Sequence, residues 1–281
     1  MSVHRLTAEQ LASFARFLHA EEHSSGTVQK YLRDTRAFSR WLAGRAVTRE
    51  AANDWKAHLL AQGYAPVTIN AMLSALNGLF RFLGWDECRV KFLKIQRKLF
   101  RDASRELDRA EYRRLVSTAR AQGKHQLALV METICATGIR VSEVSYITVE
   151  AVRHKRAEIA LKGKIRTILL PEKLSRRLAE YARKEGIVSG PLFRSKTGRP
   201  LPRRQIWAEM KGLCAQAGVD AGKVFPHNLR HLFATVFYQM YRDIVRLADV
   251  LGHSSIETTR IYLLTSGAEH ARQLERLNLT V

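Results

Sequence analysis

Between residues 227 and 262 the chain reads HNLRHLFATVFYQMYRDIVRLADVLGHSSIETTRIY. This stretch sets His227, Arg230, His253 and Tyr262 at spacings suited to one shared anion, and the rest of the chain reads as scaffold for it. Pro226 sets the entry, and His227 and Arg230, three apart, share one face of a helix. Leu229, Phe233, Val236, Phe237 and Met240 recur at helical spacing and are expected to bury the opposite face. Leu251-Gly252 closes a further helix, and Ser254 with Glu257 reads as a capping box opening the next, which carries Tyr262. Each residue alone is an ordinary core, capping or surface side chain; the four together are what points to a site.

The 281 residues suffice for two domains, and 46% hydrophobic content is that of a globular protein. With 47 Lys and Arg against 26 Asp and Glu, the formal charge is +21, the electrostatic footprint of a polyanion binder with nucleic acid as leading partner. An apolar run of spanning length or a signal-peptide layout is absent, which argues against a membrane role. Cys88, Cys135 and Cys214 are scattered and odd in number, so they suggest neither a disulfide framework nor a metal site. A reducing cytoplasm, with the protein on the nucleoid, is the expected setting. There is no glycine-rich phosphate loop, and neither metal nor cofactor is indicated.

Residues 1–88 read as a helical bundle. Thr7 and Gln10 open a first helix, a second runs from about Thr27 towards Gly44, a third from Thr48 to Gly63, and Pro66 introduces a fourth. The second leaves Lys30, Arg33, Arg36 and Arg40 for solvent or phosphate. Residues 89–107 form a basic linker without a clear period, in which Lys91, Lys94, Arg97 and Lys98 could follow a phosphate backbone. The second domain, 108–281, opens on the capping pair Asp108 and Glu111 and holds a buried helix that stops at Gly138, just before Arg140. Two β-compatible runs, 159–161 and 165–170, flank Lys162-Gly163-Lys164 as a hairpin with lysine at its turn. Ala268, Ala271, Leu274 and Leu277 mark an amphipathic tail helix. The fold class is thus mainly α with a small β-hairpin.

Breaking and rejoining a phosphodiester requires cations on the nonbridging oxygens, a nucleophile and a proton donor for the leaving oxygen. Arg140 and Arg230 offer planar forks for phosphate oxygens, Tyr262 offers a phenolic nucleophile, and His227 can move its proton. The energy of the broken bond would be conserved in a phosphotyrosyl ester.

Thr137-Gly138-Ile139-Arg140-Val141-Ser142-Glu143, His227-Asn228-Leu229-Arg230-His231, Leu251-Gly252-His253 and Tyr262 resemble, in order and spacing, the tyrosine recombinase (phage integrase) family. The resemblance extends over nearly the whole chain, with residues 1–88 similar to that family's core-binding domain and the remainder to its α+β catalytic domain. It implies a two-domain clamp on duplex DNA in which Arg140, Lys162, His227, Arg230 and His253 assist the nucleophile Tyr262, the hairpin lysine protonating the leaving 5′ hydroxyl. Lys162 and Lys164 are separated by Gly163 alone, a shorter turn than is usual in the family, so both remain candidates for that lysine, with Lys162 preferred. Glu143 occupies the place of an acidic residue that supports the arginines. His231 falls on a different helical face from Arg230 and is read as structural.

The resemblance further implies a site-specific recombinase acting as a homotetramer through a 3′-phosphotyrosyl intermediate and a Holliday junction, without metal or ATP. The tail would dock on a neighbouring protomer or on its own domain, and accessory recombination proteins are possible partners. Starting at the core-binding domain, the chain is similar to compact Xer-type members, although a phage or transposon recombinase fits equally. The alternatives are a type IB topoisomerase-like relaxing enzyme and a catalytically inactive DNA-binding protein.

Overall fold

The structure is a computed structural model describing residues 4–95, 103–161, 164–262, 272 and 275–277. Two compact units divide the chain, residues 1–97 and 98–281. No helix among the described residues is long and apolar enough to cross a membrane.

The first unit contains α1 (Ala8–Ala20), α2 (Ser25–Leu42), α3 (Arg49–Ala61) and α4 (Pro66–Phe82). Local chemistry sets their ends. Thr7 Oγ1 accepts from Gln10 N at 3.2 Å while Gln10 Oε1 accepts from Thr7 N at 2.9 Å, a reciprocal cap on α1. Thr48 caps α3, and Pro66 occupies the first turn of α4, where its missing N–H costs nothing. Ser24 caps α2 slightly ahead of the expected start. Phe38, Leu42, Leu73, Leu76 and Phe80 interlock in the main core.

The basic segment after this bundle begins as part of it. Asn77 of α4 exchanges two hydrogen bonds with the Val90 backbone, at 2.9 and 3.1 Å, and Asn70, two turns earlier, does the same with Leu93 at 2.9 and 2.8 Å. Two side-chain amides thus satisfy backbone groups that a strand partner would otherwise pair. Lys91 and Lys94 stay exposed on this tethered stretch; Arg97 and Lys98 lie outside the described residues.

The second unit comprises α5 (Arg109–Ala121), α6 (His125–Thr137), α7 (Val149–Arg153), β1 (Arg156–Leu161), β2 (Lys164–Leu169), α8 (Glu172–Lys184), α9 (Arg203–Lys211), α10 (Cys214–Ala217), α11 (Pro226–Tyr241), α12 (Ile244–Leu251) and α13 (Ile256–Arg260). The chain is therefore mainly helical with a small antiparallel two-stranded sheet. The apolar run of α6 is buried against α5, α8 and α11, and Asp108 with Glu111 closes the expected capping box on α5. β1 and β2 pair in a register that sets Ile159 opposite Arg166 and brings the strands to the turn 162–163, which lies outside the described residues. Ala157, Ile159, Ile168 and Leu170 face the core, whereas Ile165 and Leu169 are exposed.

Three expectations change. Met240, placed on the buried stripe of α11, is 65% exposed; the buried residues of that helix stop at Ala234, leaving its last two turns partly open. The cap of α13 is Ser255, whose Oγ accepts from Glu257 N at 3.2 Å, and not Ser254: left-handed Gly252 and the His253 N bond to Ala248 O consume one more residue before the helix starts. Tyr262 follows α13 instead of lying within it. Of the tail series, Ala268, Ala271 and Leu274 lie outside the described residues and Leu277 is exposed.

Gly138 ends α6 at φ +67°, and a Cβ there would stand 2.5 Å from the Phe233 ring. Gly138→Ala is expected to cost about 2 kcal/mol through left-handed strain and this overlap, read as a lowered urea midpoint. An unchanged midpoint would contradict the packing described.

Candidate active site

Arg230 projects from the first turns of α11 and is only 2% exposed. Its Nη1 donates to Gly138 O at 2.5 Å and its Nη2 to Leu251 O at 2.9 Å. Those carbonyls end α6 and α12, so two helix C-termini, each carrying a partial negative charge, converge on one buried guanidinium. Burial, and next the Arg140 charge, lower the Arg230 pKa from its usual value. The side chain nevertheless remains a cation at neutral pH.

His253 follows the end of α12 directly. Its Nε2 lies 2.8 Å from Arg230 Nη2, and since a guanidinium only donates, Nε2 is the accepting, unprotonated nitrogen. Nδ1 therefore carries the proton and donates to Thr259 Oγ1 at 2.9 Å. Burial, and then the charges of Arg230, Arg140 and Arg166, pull the His253 pKa down to about 4. The ring is neutral at pH 7 with a fixed tautomer.

Arg140 follows Gly138 and Ile139 and begins the 3-10 turn Val141–Tyr146. Its backbone N donates to Glu143 Oε2 at 2.7 Å and its Nη1 to Glu143 Oε1 at 3.0 Å. Glu143 is 2% exposed and receives a third bond, from Arg166 Nη2 at 2.5 Å. Burying this carboxylate is tolerable because two cations and a backbone amide meet it.

His227 stands exposed one turn before Arg230. Partial desolvation and the Arg230 and Arg140 charges lower its pKa, leaving the neutral ring able to accept a proton. Tyr262 is 3% exposed, packed with Ala234, Leu247 and Leu251, and its phenol lies close enough to Arg230 to influence that side chain's charge. The His253 ring lies almost parallel to it at 6.1 Å, and the His231 ring meets it edge-on at 5.0 Å. His231, read as structural, is thus also a neighbour of the tyrosine.

The structure therefore brings together Arg140, Glu143, His227, Arg230, His253 and Tyr262. Lys162 lies outside the described residues; the backbone of Lys164 pairs with Leu161 in the hairpin. Arg166 was missed. Its signal is strand parity: within β2 it shares the inward side with Ile168, a charged residue where an apolar one is expected. In the first unit, Lys30, Arg33, Arg36 and Arg40 are exposed along α2, Arg33 also pairing with Asp34 at 2.8 Å. Elsewhere in that unit, His4, Glu87 and Cys88 bring nitrogen, oxygen and sulfur donors within 4.8 Å of one another. Spacing along the chain could not reveal this group; His4 pairs there with Glu87 at 2.5 Å, and the Cys88 thiol with Val47 O at 3.7 Å.

The model of the phage integrase family matches residues 105–268, and that of the phage integrase N-terminal SAM-like domain matches residues 11–87. Tyrosine recombinase XerA of Pyrococcus furiosus is 31% identical over 284 residues, covering 98% of this chain and 96% of its own length. The chain belongs to the phage integrase family of tyrosine recombinases. A second relative, tyrosine recombinase XerD of Brucella suis, is 31% identical over 285 residues, with 90% of this chain and 91% of its own covered. In fold, the chain is similar to the lambda integrase of a tetramer bound to a Holliday junction, with a TM-score of 0.75 at 16% identity over 93% of this chain and 78% of the other. Membership of the tyrosine recombinases agrees with an enzyme, and does not favour the topoisomerase-like or inactive readings.

The depressed His253 pKa has a signed consequence. The unfolded chain takes up this proton near pH 6.5 and the folded one only near pH 4, so the stabilisation is complete above about pH 6.5 and is lost as pH falls towards 4. Thermal midpoints should fall across that window, and His253→Gln should fall less. Equal falls in both proteins would contradict the assigned neutral ring.

Proposed function

We propose that this protein is a site-specific DNA recombinase that cuts and rejoins strands through Tyr262. The phenolic oxygen attacks the scissile phosphorus; the Tyr262 O–P bond forms as the P–O5′ bond breaks. The phenolic proton passes to neutral His227, and the departing 5′ oxygen takes a proton from the hairpin lysine, Lys162 in preference to Lys164. Arg140 and Arg230 neutralise the charge that accumulates on the nonbridging oxygens, the part a metal ion plays in other phosphoryl-transfer sites. Because the ester conserves the energy of the broken bond, a 5′ hydroxyl from a second duplex can reverse the step without ATP.

The observation that carries this reading is the gathering of Tyr262, His253, Arg140 and His227 near one buried guanidinium, that of Arg230, with His227 on the same helix and the other three from elements far apart in sequence. The 3% exposure of Tyr262 adds a condition, that engagement of DNA must uncover the phenol. The basic face of α2, with Lys30, Arg33, Arg36 and Arg40, and the tethered Lys91 and Lys94 hold phosphates; such contacts position a duplex without reading it. Arg97 and Lys98, named from the sequence alone, are proposed to add further phosphate contacts.

The working form is a homotetramer joined through the C-terminal tail, exchanging strands by way of a Holliday junction, on nucleoid DNA in the cytoplasm and with accessory recombination proteins. Support comes from the lambda integrase tetramer to which the fold is similar.

The test is covalent capture. A core site is enriched from a random duplex library by trapping, rebuilt as a nicked suicide duplex, and run with protein on a denaturing gel. A covalent adduct is expected with the native chain and none with Tyr262→Phe, whose affinity for the duplex stays within about threefold because affinity rests mainly on phosphate contacts elsewhere. An adduct that survives Tyr262→Phe would overturn the assignment.

A further inference from the structure

The two-stranded hairpin is attached to the catalytic unit in two different ways along its length. At its base, Ala157, Ile159, Ile168 and Leu170 are packed into the apolar core. Nearer the turn the ties are polar. Tyr146 Oη donates to Ala160 O at 2.5 Å, and Arg166 reaches inward from β2. A two-stranded ribbon has little stability of its own, so the placement of its tip depends on such ties.

The Arg166 guanidinium contacts two carriers of active-site residues. Nη2 donates to Glu143 Oε2 at 2.5 Å, and the other oxygen of that carboxylate holds Arg140 at 3.0 Å. Nη1 donates to Val250 O at 3.0 Å, in the last turn of α12, beside the Leu251 carbonyl that holds Arg230 and shortly before His253. The hairpin, the Arg140 turn and the Arg230–His253 corner therefore meet at one side chain.

The backbone accommodates this crossing. Gly252 has φ +64°, and a Cβ there would lie 2.5 Å from Arg166 Cδ and 2.7 Å from Nη1. Arginine suits the place because its planar fork can serve two divergent acceptors at once, whereas a lysine ammonium is a single point on a flexible stem.

We infer that Arg166 is a positioning residue: by bridging Glu143 and the α12 C-terminus it registers the hairpin, and with it the leaving-group lysine, against the Arg140–Arg230 cation pair. The inference rests on the reading of the hairpin lysine as proton donor. Arg166 touches no reacting atom in this account. It acts through the placement of Lys162, four residues away in sequence.

The test uses the captured core duplex in two forms, one with its ordinary phosphodiester and one with sulfur in place of the bridging 5′ oxygen at the scissile bond. The sulfur leaves as a stable thiolate and needs no proton, so cleavage of that form bypasses the general acid. Arg166→Ala and Arg166→Lys are compared with the native chain in single-turnover cleavage, duplex affinity and thermal midpoint. Misplacement of the proton donor is expected to slow cleavage of the oxygen duplex by about 100-fold. The sulfur duplex should be cleaved within about threefold of the native rate, because no proton donor is required there.

Arg166→Lys, which keeps the charge and volume, guards against simple unfolding of the alanine variant, and an unchanged affinity shows that the fold persists. Equal slowing on both duplexes in a folded variant would overturn the proposal, since a general loss of structure or a direct phosphate contact acts on both. Lys162→Ala run alongside separates the layers. If it is rescued by sulfur and the Arg166 variants are not, the coupling alone is wrong. If Lys162→Ala stays slow on sulfur, the reading of the lysine fails, and the positioning role falls with it.

Discussion

A guanidinium buried almost completely from water must be offset, and the way Arg230 is offset organises the catalytic unit. Desolvating an ion costs on the order of several kcal/mol even after relaxation. No carboxylate touches Arg230 directly among the described bonds; the compensation comes from the terminal carbonyls of α6 and α12 and from the lone pair of His253. Helix termini supply charge that is fixed in direction and cannot be titrated. A carboxylate in the same place would neutralise the cation more fully and compete with any phosphate brought to it under the proposed function. The arrangement keeps positive charge available while holding the fork still.

That requirement spreads outward. Both carbonyls can point at Arg230 because the helices end in left-handed glycines, Gly138 and Gly252, and each glycine is also crowded where a Cβ would stand. Phe233 fills the space over the first, and Arg166 crosses the second. Glu143 is the acidic partner of the neighbouring cations, one carboxylate oxygen holding Arg140 and the other Arg166. His253, kept neutral by burial and by the charges around it, completes the set as an acceptor on one side and a donor to Thr259 on the other.

Much of this was legible in the chain. Helix ends could be read where capping chemistry is local, as at Thr7–Gln10 and Asp108–Glu111, and the site residues could be named from the order of Arg140, His227, Arg230, His253 and Tyr262. Burial of Arg230 could not be read, because it depends on two carbonyls distant in sequence. Arg166 stayed hidden among many basic residues, distinguished only by its parity in a strand whose register the turn left open. Asn70 and Asn77 looked like ordinary helix polar residues, although they carry the backbone bonds of the segment that follows their bundle. His231 was judged by its angle around α11, which says nothing of a tyrosine arriving from beyond α13.

The central claim is that Arg230 serves the phosphate while still clamped by the two helix ends. Crystals of the protein on its core duplex with orthovanadate bridging the cleaved strand would test it most directly. The account predicts vanadium bonded to the Tyr262 oxygen and equatorial oxygens about 3 Å from both Arg140 and Arg230, with Gly138 O and Leu251 O still bound to Arg230. Vanadate on Tyr262 with Arg230 released from both carbonyls, or with its equatorial oxygens bound by other cations, would contradict it.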